Sequence, residues 1–222
     1  MGRGSSGGGG GGLGSSGGNS ITPRSSRNLI SERERNPESV DEVLSVLKDV
    51  NDQYGYTIYD ANVVDIGNST AIAYYELGAD NIAVNQRYFD AAKMNSAYDN
   101  CVKSGFHPSR GNKTGTQAVV SHELGHALTD EAARKNGMDF DSMAQKIVVD
   151  AFGNKSRRST GRIAEKISGY ATKNNAECIA EAFCDVYCNG KKAAAESHSI
   201  VNRLNGYLAR TPSRPSGYNI KK

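Results

Sequence analysis

The sequence predicts an α+β domain in which helices outnumber strands. Three observations carry this: short β-prone runs confined to residues 56–85, helical apolar spacing on both sides of them, and Gly/Asn/Asp clusters between the runs. At 222 residues, 37% hydrophobic and without Trp, the chain has room for one globular domain and not two sizeable ones. That domain is expected over residues 37–210, between a disordered tail over 1–36 and a flexible C-terminal tail over 211–222. Gly2 to Gly18 is almost entirely Gly and Ser, with Leu13 the lone aliphatic, and Ser/Arg-rich sequence follows, so the tail is expected to stay outside the core.

The elements follow in order. Asn36 as cap, Pro37 at the first helical position and apolar residues at 40, 43, 44 and 47 predict a helix to about Tyr54. Short strands are expected over 56–59, 63–66, 71–75 and 81–85, split by Gly67-Asn68 and Gly78-Ala79-Asp80-Asn81. A helix over 87–103 and a Gly/Pro/Lys loop over 105–115 come next. A further helix is expected to start at Thr114, which has capping-box spacing to Gln117, and to end near Gly137. Helices over 139–152, 161–168, 175–188 and 191–208 complete the domain.

Inside the helix after Thr114 lies Ser121-His122-Glu123-Leu124-Gly125-His126. His122 and His126 are i and i+4, one above the other on a helix face, where they can grip one ion from one side. Glu123, one step round, is placed to take a proton from a water activated by that ion. Two histidines leave a tetrahedral site one protein ligand short. Thr129 and Ala132 break the HExxHxxGxxH pattern, and His107, before a proline, and His198 do not complete it.

An acidic donor suits better. Glu177 and Glu181 share one face of the 175–188 helix, one carboxylate to bind the ion and the other to orient a ligating histidine. A plainer account makes Asn174 an N-cap, Glu177 its capping-box partner, and Glu181 with Asp185 an acidic solvent face. Ser168-Gly169-Tyr170-Ala171, just upstream, tips the choice toward the site.

The stretch Ser168-x-Tyr170-Ala171-x-x-Asn174-x-x-Glu177-x-x-Ala180-Glu181-x-Phe183, after an HExLGH helix, resembles the catalytic domain of the anthrax-lethal-factor-like zinc metallopeptidases. This gluzincin group also occurs in phage-encoded and toxin-associated proteins. The likeness spans roughly residues 80–190 and is specific in these two blocks alone. It implies a zincin-like metallopeptidase domain, with a small twisted sheet, the HExxH helix, a second ligand-bearing helix and a helical C-terminal part. It also implies one Zn2+ per chain bound by His122, His126 and Glu177, Glu123 as general base, Tyr170 stabilising the oxyanion or leaving amine, and Glu181 behind a ligand. The substrate would be a polypeptide bound in extended form along a sheet edge. The 81–85 segment is the candidate edge, an interior strand being the alternative.

The rival expectations are a phage virion or head-associated structural protein that keeps a zincin fold, and a module that captures peptides without cutting them. The intact His122, Glu123, His126, Tyr170 and Glu177 argue against both, since an inactive fold has no chemical need of the base or the phenol. The basic stretch over 154–160 is expected as a surface loop, either a solvated connection or, if it lines the cleft, a feature favouring acidic substrate segments.

Composition removes other classes. The first 36 residues carry five Arg and two acidic residues, a net of +3 that equals the net of the whole chain, so the rest is neutral and no nucleic-acid groove is indicated. No phosphate-binding Gly-rich loop followed by Lys-Ser/Thr occurs. No apolar run of about 18 residues and no signal-peptide core is present, so neither membrane spanning nor Sec export is expected. Cytoplasmic folding is expected, with packaging in a phage particle or a dedicated secretion machine as the route outward. Cys101, Cys178, Cys184 and Cys188 are expected as reduced thiols, those of the 175–188 helix as small buried hydrophobes. The flexible basic segment from Arg24 to Arg35 is a candidate for self-cleavage.

Overall fold

A computed structural model describes residues 23–58, 60–67 and 69–209. Among them are four strands, β1 Ser25–Asn28, β2 Asp60–Asp65, β3 Ala73–Glu76 and β4 Asn81–Asn85. Seven α-helices accompany them: α1 Pro37–Tyr54, α2 Ala91–Lys103, α3 Gly115–Asn136, α4 Phe140–Phe152, α5 Arg157–Ala164, α6 Asn175–Asn189 and α7 Ala195–Leu208. The class is α+β.

The strands form one mixed sheet in the order β1-β2-β4-β3, with β2 and β4 parallel and both outer pairs antiparallel. The edge strand beside the helices is therefore β3. The 81–85 segment expected as the edge is interior, because β2 covers its other side with the register Asp60↔Asn81 to Val64↔Asn85. Alternation explains the burial: Val63 and Val84 face the main core, while Val64 and Ala83 join a small cluster with Ile66 and Ala71 on the opposite face.

The expected tail boundary at residue 36 is corrected. Ser25–Asn28 pairs antiparallel with β2, Leu29 is buried, and the buried Glu32 carboxylate is met by Arg27 Nε at 2.5 Å. A strand of Ser-Ser-Arg-Asn has no apolar residue and is held by main-chain bonds, which composition does not register. The segment expected to be flexible and open to self-cleavage is thus partly tied into the sheet. The remainder of the expected tail, residues 1–22, and the C-terminal stretch 211–222 lie outside the described residues.

Other boundaries shift for local reasons. Helix α2 starts at Ala91 instead of 87 because Asp90 caps it, its side chain accepting from Lys93 N. Helix α5 occupies 157–164 instead of 161–168, with Ser156 as its cap. Residues 56–58 form no strand, and Tyr56 instead donates its hydroxyl to Asp80 Oδ1 at 2.5 Å.

Helix α3 is the hub, touching α1, α2, α4, α6, α7 and β3. Seventeen of its 22 residues are buried, which its small residues Ala118, Ser121, Gly125, Ala127, Ala132 and Ala133 permit on every side. The Thr114–Gln117 capping box is formed, and Gly137 ends the helix in the left-handed region at φ 63°. At Gly125 a Cβ would lie 2.6 Å from Ala180 Cα, so only glycine lets α3 and α6 approach this closely. That contact sits within one turn of both histidines and both α6 glutamates.

Candidate metal centre

The α3–α6 approach brings His122, His126 and Glu177 together. Both Nε2 atoms face Glu177 Oε2, at 3.2 Å from His122 and 3.3 Å from His126. Neither imidazole Nε2 finds a well-aligned hydrogen-bond partner, although both are buried. Such atoms are costly unless something else satisfies them. Donors about 2.0–2.1 Å from a tetrahedral ion stand about 3.3 Å apart, the spacing seen here. The three residues can hold a metal ion.

Glu181 stands behind His122. Its Oε1 lies 2.7 Å from His122 Nδ1 and 2.8 Å from His107 Nδ1, and its Oε2 accepts from Ser168 Oγ at 2.7 Å. Burial alone would raise its pKa, but the histidines overcome this and hold it down at about 2, so it is a carboxylate. An ionised carboxylate only accepts, so the Nδ1 of each ring is the donor toward Glu181 and His122 turns its Nε2 toward Glu177. His107, His122 and Glu181 form a second cluster with metal-ligand spacing. There, however, a hydrogen bond already joins His107 Nδ1 to Glu181 Oε1.

Spacing alone did not reveal His107. It joins the site because Gly169 N and Tyr170 N donate to Gly105 O and Phe106 O, tying the two loops together, and because its ring stacks on Tyr98. The plain account of α6 is half present: Asn174 caps the helix through Glu177 N at 2.8 Å. The solvent face is corrected, since Glu177 and Glu181 are 0% exposed and Asp185 is buried against Ser197 Oγ and Ala194 N.

Glu123 lies beside His122, His126 and Glu177 with its pKa raised, by burial first, against the pull of His122, His126 and the Tyr75 backbone N–H. A cavity of about 20 Å³, room for roughly one water, adjoins His122 and Glu123. Tyr170 donates its hydroxyl to Glu177 Oε1 at 3.0 Å and receives Lys173 Nζ at 2.9 Å. Burial and the neighbouring carboxylates keep that phenol protonated far above neutral pH. Burial raises Glu177 too, but the two imidazoles outweigh it and hold the carboxyl well below its usual range. Lys173 is a second functional neighbour that motif reading missed.

Edge strand β3 is fixed to α3 by Tyr75, whose hydroxyl donates to Asp130 Oδ2 at 2.9 Å, and by Gly78 N at 3.2 Å from the same oxygen. Cys178 and Cys184 are buried and all four cysteines are unpaired thiols. No helix among the described residues is long and apolar enough to cross a membrane.

Compared with protein-family models, curated proteins and solved structures, the chain finds no match in any of the three. Fold and site together define an α+β protein with a buried His/Glu centre able to hold a cation.

Proposed function

We propose that the chain is a zinc-dependent metalloendopeptidase with a zincin-like domain. The observation that carries the reading is the convergence of His122 Nε2, His126 Nε2 and Glu177 Oε2 with Glu123 alongside. Two imidazoles and one carboxylate are the donor set of hydrolytic zinc, and three protein ligands leave the fourth tetrahedral position open. A bound ion supplies Lewis-acid polarisation of a carbonyl and makes water more acidic.

The chain's own groups do the rest. Glu123, buried and of raised pKa, takes the proton as the water oxygen attacks the scissile carbonyl carbon. It returns that proton to the nitrogen as the C–N bond breaks. Tyr170, a neutral phenol, is an O–H donor that turns from Glu177 toward the negative charge developing on the carbonyl oxygen. Glu181 keeps His122 in the tautomer the site needs. In the β3–β4 ladder, Asn85 N bonds to Ile72 O, so alternation turns the main-chain groups of Ala73 and Tyr75 away from β4; the Tyr75 N–H lies toward Glu123, and an extended peptide could add at the remaining groups.

One observation favours the rival, a structural or peptide-holding protein: His122, Glu123, His126, Tyr170 and Glu177 are at most 4% exposed. Glu123→Gln separates the two readings. The peptidase account expects the variant to keep zinc and fold and to lose about 10²–10⁴-fold in hydrolysis of a denatured casein substrate. Zinc-loaded wild type that cleaves no better than Glu123→Gln would establish the rival.

A further inference from the structure

A cavity of about 410 Å³ lies beside the metal cluster, between α4, the start of α5 and the segment entering α6. Its polar wall includes Gln145, Asn154, Lys155, Arg157, Lys173 and Asn175, and no Asp or Glu lines it. Among the described residues Lys155 and Arg157 make neither an ion pair nor a hydrogen bond. Two exposed cations lining a cavity with no acid in its wall give it a positive field that suits an anionic guest.

The third cation joins this cavity to the site. Lys173 lines it, while its Nζ stands 2.9 Å from the Tyr170 hydroxyl and 3.5 Å from Glu177 Oε1. Cys178, in its wall, directly follows the proposed ligand Glu177. The floor of Val148, Ala171 and Cys178 is apolar, and Gln145, Asn154 and Asn175 offer neutral amides. Methylenes fit such a floor, and backbone groups fit such amides. A small inorganic anion would use neither.

We infer that this pocket is a subsite for an acidic side chain, so that the polypeptide taken by the metal centre is one carrying Asp or Glu within a few residues of the reacting bond. The inference rests on the peptidase reading and names its substrate class.

The test measures binding without turnover. Full-length Glu123→Gln protein, zinc-loaded, is titrated against a fluorescent Glu-rich peptide and its Gln counterpart, read by anisotropy. The acidic peptide is expected to bind about tenfold tighter, the preference fading with salt because exposed ion pairs are screened. Lys155→Gln/Arg157→Gln, both at exposed positions, is expected to erase the preference. Lys173 is left intact because it touches Tyr170 and Glu177.

Equal affinity for both peptides, or a preference that survives the double substitution, overturns the inference. So does displacement by inorganic phosphate at concentrations matching the peptide, which would make the pocket a general anion site. The two readings fail separately. Zinc-loaded wild type that cleaves nothing while the preference persists removes the peptidase and leaves an acidic-peptide pocket. Cleavage without acidic preference does the reverse.

Discussion

Two clusters of two histidines and one glutamate share His122, and they are built differently. Around Glu181 the contacts are 2.7 and 2.8 Å, the distances of charge-assisted pairs, and the one from His107 is a hydrogen bond. Around Glu177 they are 3.2 and 3.3 Å and both imidazole Nε2 atoms lack a well-aligned partner. The two clusters differ in spacing: the first has hydrogen-bond distances, and the second has the wider separation of donors around an ion. The comparison teaches that His122 is a hinge between them: its Nδ1 is spent on Glu181 so that its Nε2 is available to the site. Burial lowers the His122 pKa, but Glu177 and Glu181 reverse this and raise it, so without a metal a proton supplies the positive charge the carboxylates attract.

The comparison breaks most completely if the helices carrying both clusters are pushed apart. Gly125→Ala places a Cβ 2.6 Å from Ala180 Cα, and the strain is expected to cost about 1–3 kcal/mol and to empty the metal site as well. Urea unfolding with metal analysis checks this; a variant of wild-type stability and metal content would remove α3–α6 contact as the organising feature.

Glu181→Gln is next. It leaves all three proposed ligands and removes the carboxylate behind His122, so zinc affinity should fall about 10–100-fold, measured by chelator competition. His107→Ala removes only one of the donors to Glu181 and is expected to fall less far than Glu181→Gln. A His107→Ala protein as empty of zinc as Glu177→Ala would reverse the comparison and make His107 a ligand.

The smallest effect lies away from the metal, at the β3–β4 turn. Asp80, at φ 48°, accepts from Tyr56, Tyr75 and Arg134. Burial raises its carboxyl and these donors more than offset it, leaving the folded pKa below its usual value. A depressed carboxylate contributes stability above its unfolded pKa of about 3.9, and that contribution is lost as pH falls through the folded value. Asp80→Asn is expected to be less stable than wild type near neutral pH, with the gap closing as pH drops below about 4. A gap of constant size across that range would remove Asp80 as the titrating group.

What the sequence disclosed follows from range. The α3 cap, the His122/His126 pair and the Gly137 stop are all local patterns, and each has its place in the structure. Glu177 and Glu181 share one helix face, so spacing could not tell ligand from support; only the α3 approach at Gly125 separates them. His107 meets Glu181 across 74 residues, through loops paired by backbone bonds that leave no side-chain signature. β3 and β4 are both short and β-prone, so which one is the edge depends on β2 pairing with β4. β1 is polar throughout and was invisible to hydrophobic periodicity.

The central claim is that His122, His126 and Glu177 hold the ion. Metal content by plasma mass spectrometry of purified wild type and Glu177→Ala, with chelator-treated wild type as the blank, tests it most directly. The account predicts about one zinc per wild-type chain and far less in Glu177→Ala. Zinc retained by Glu177→Ala at the wild-type level would contradict it.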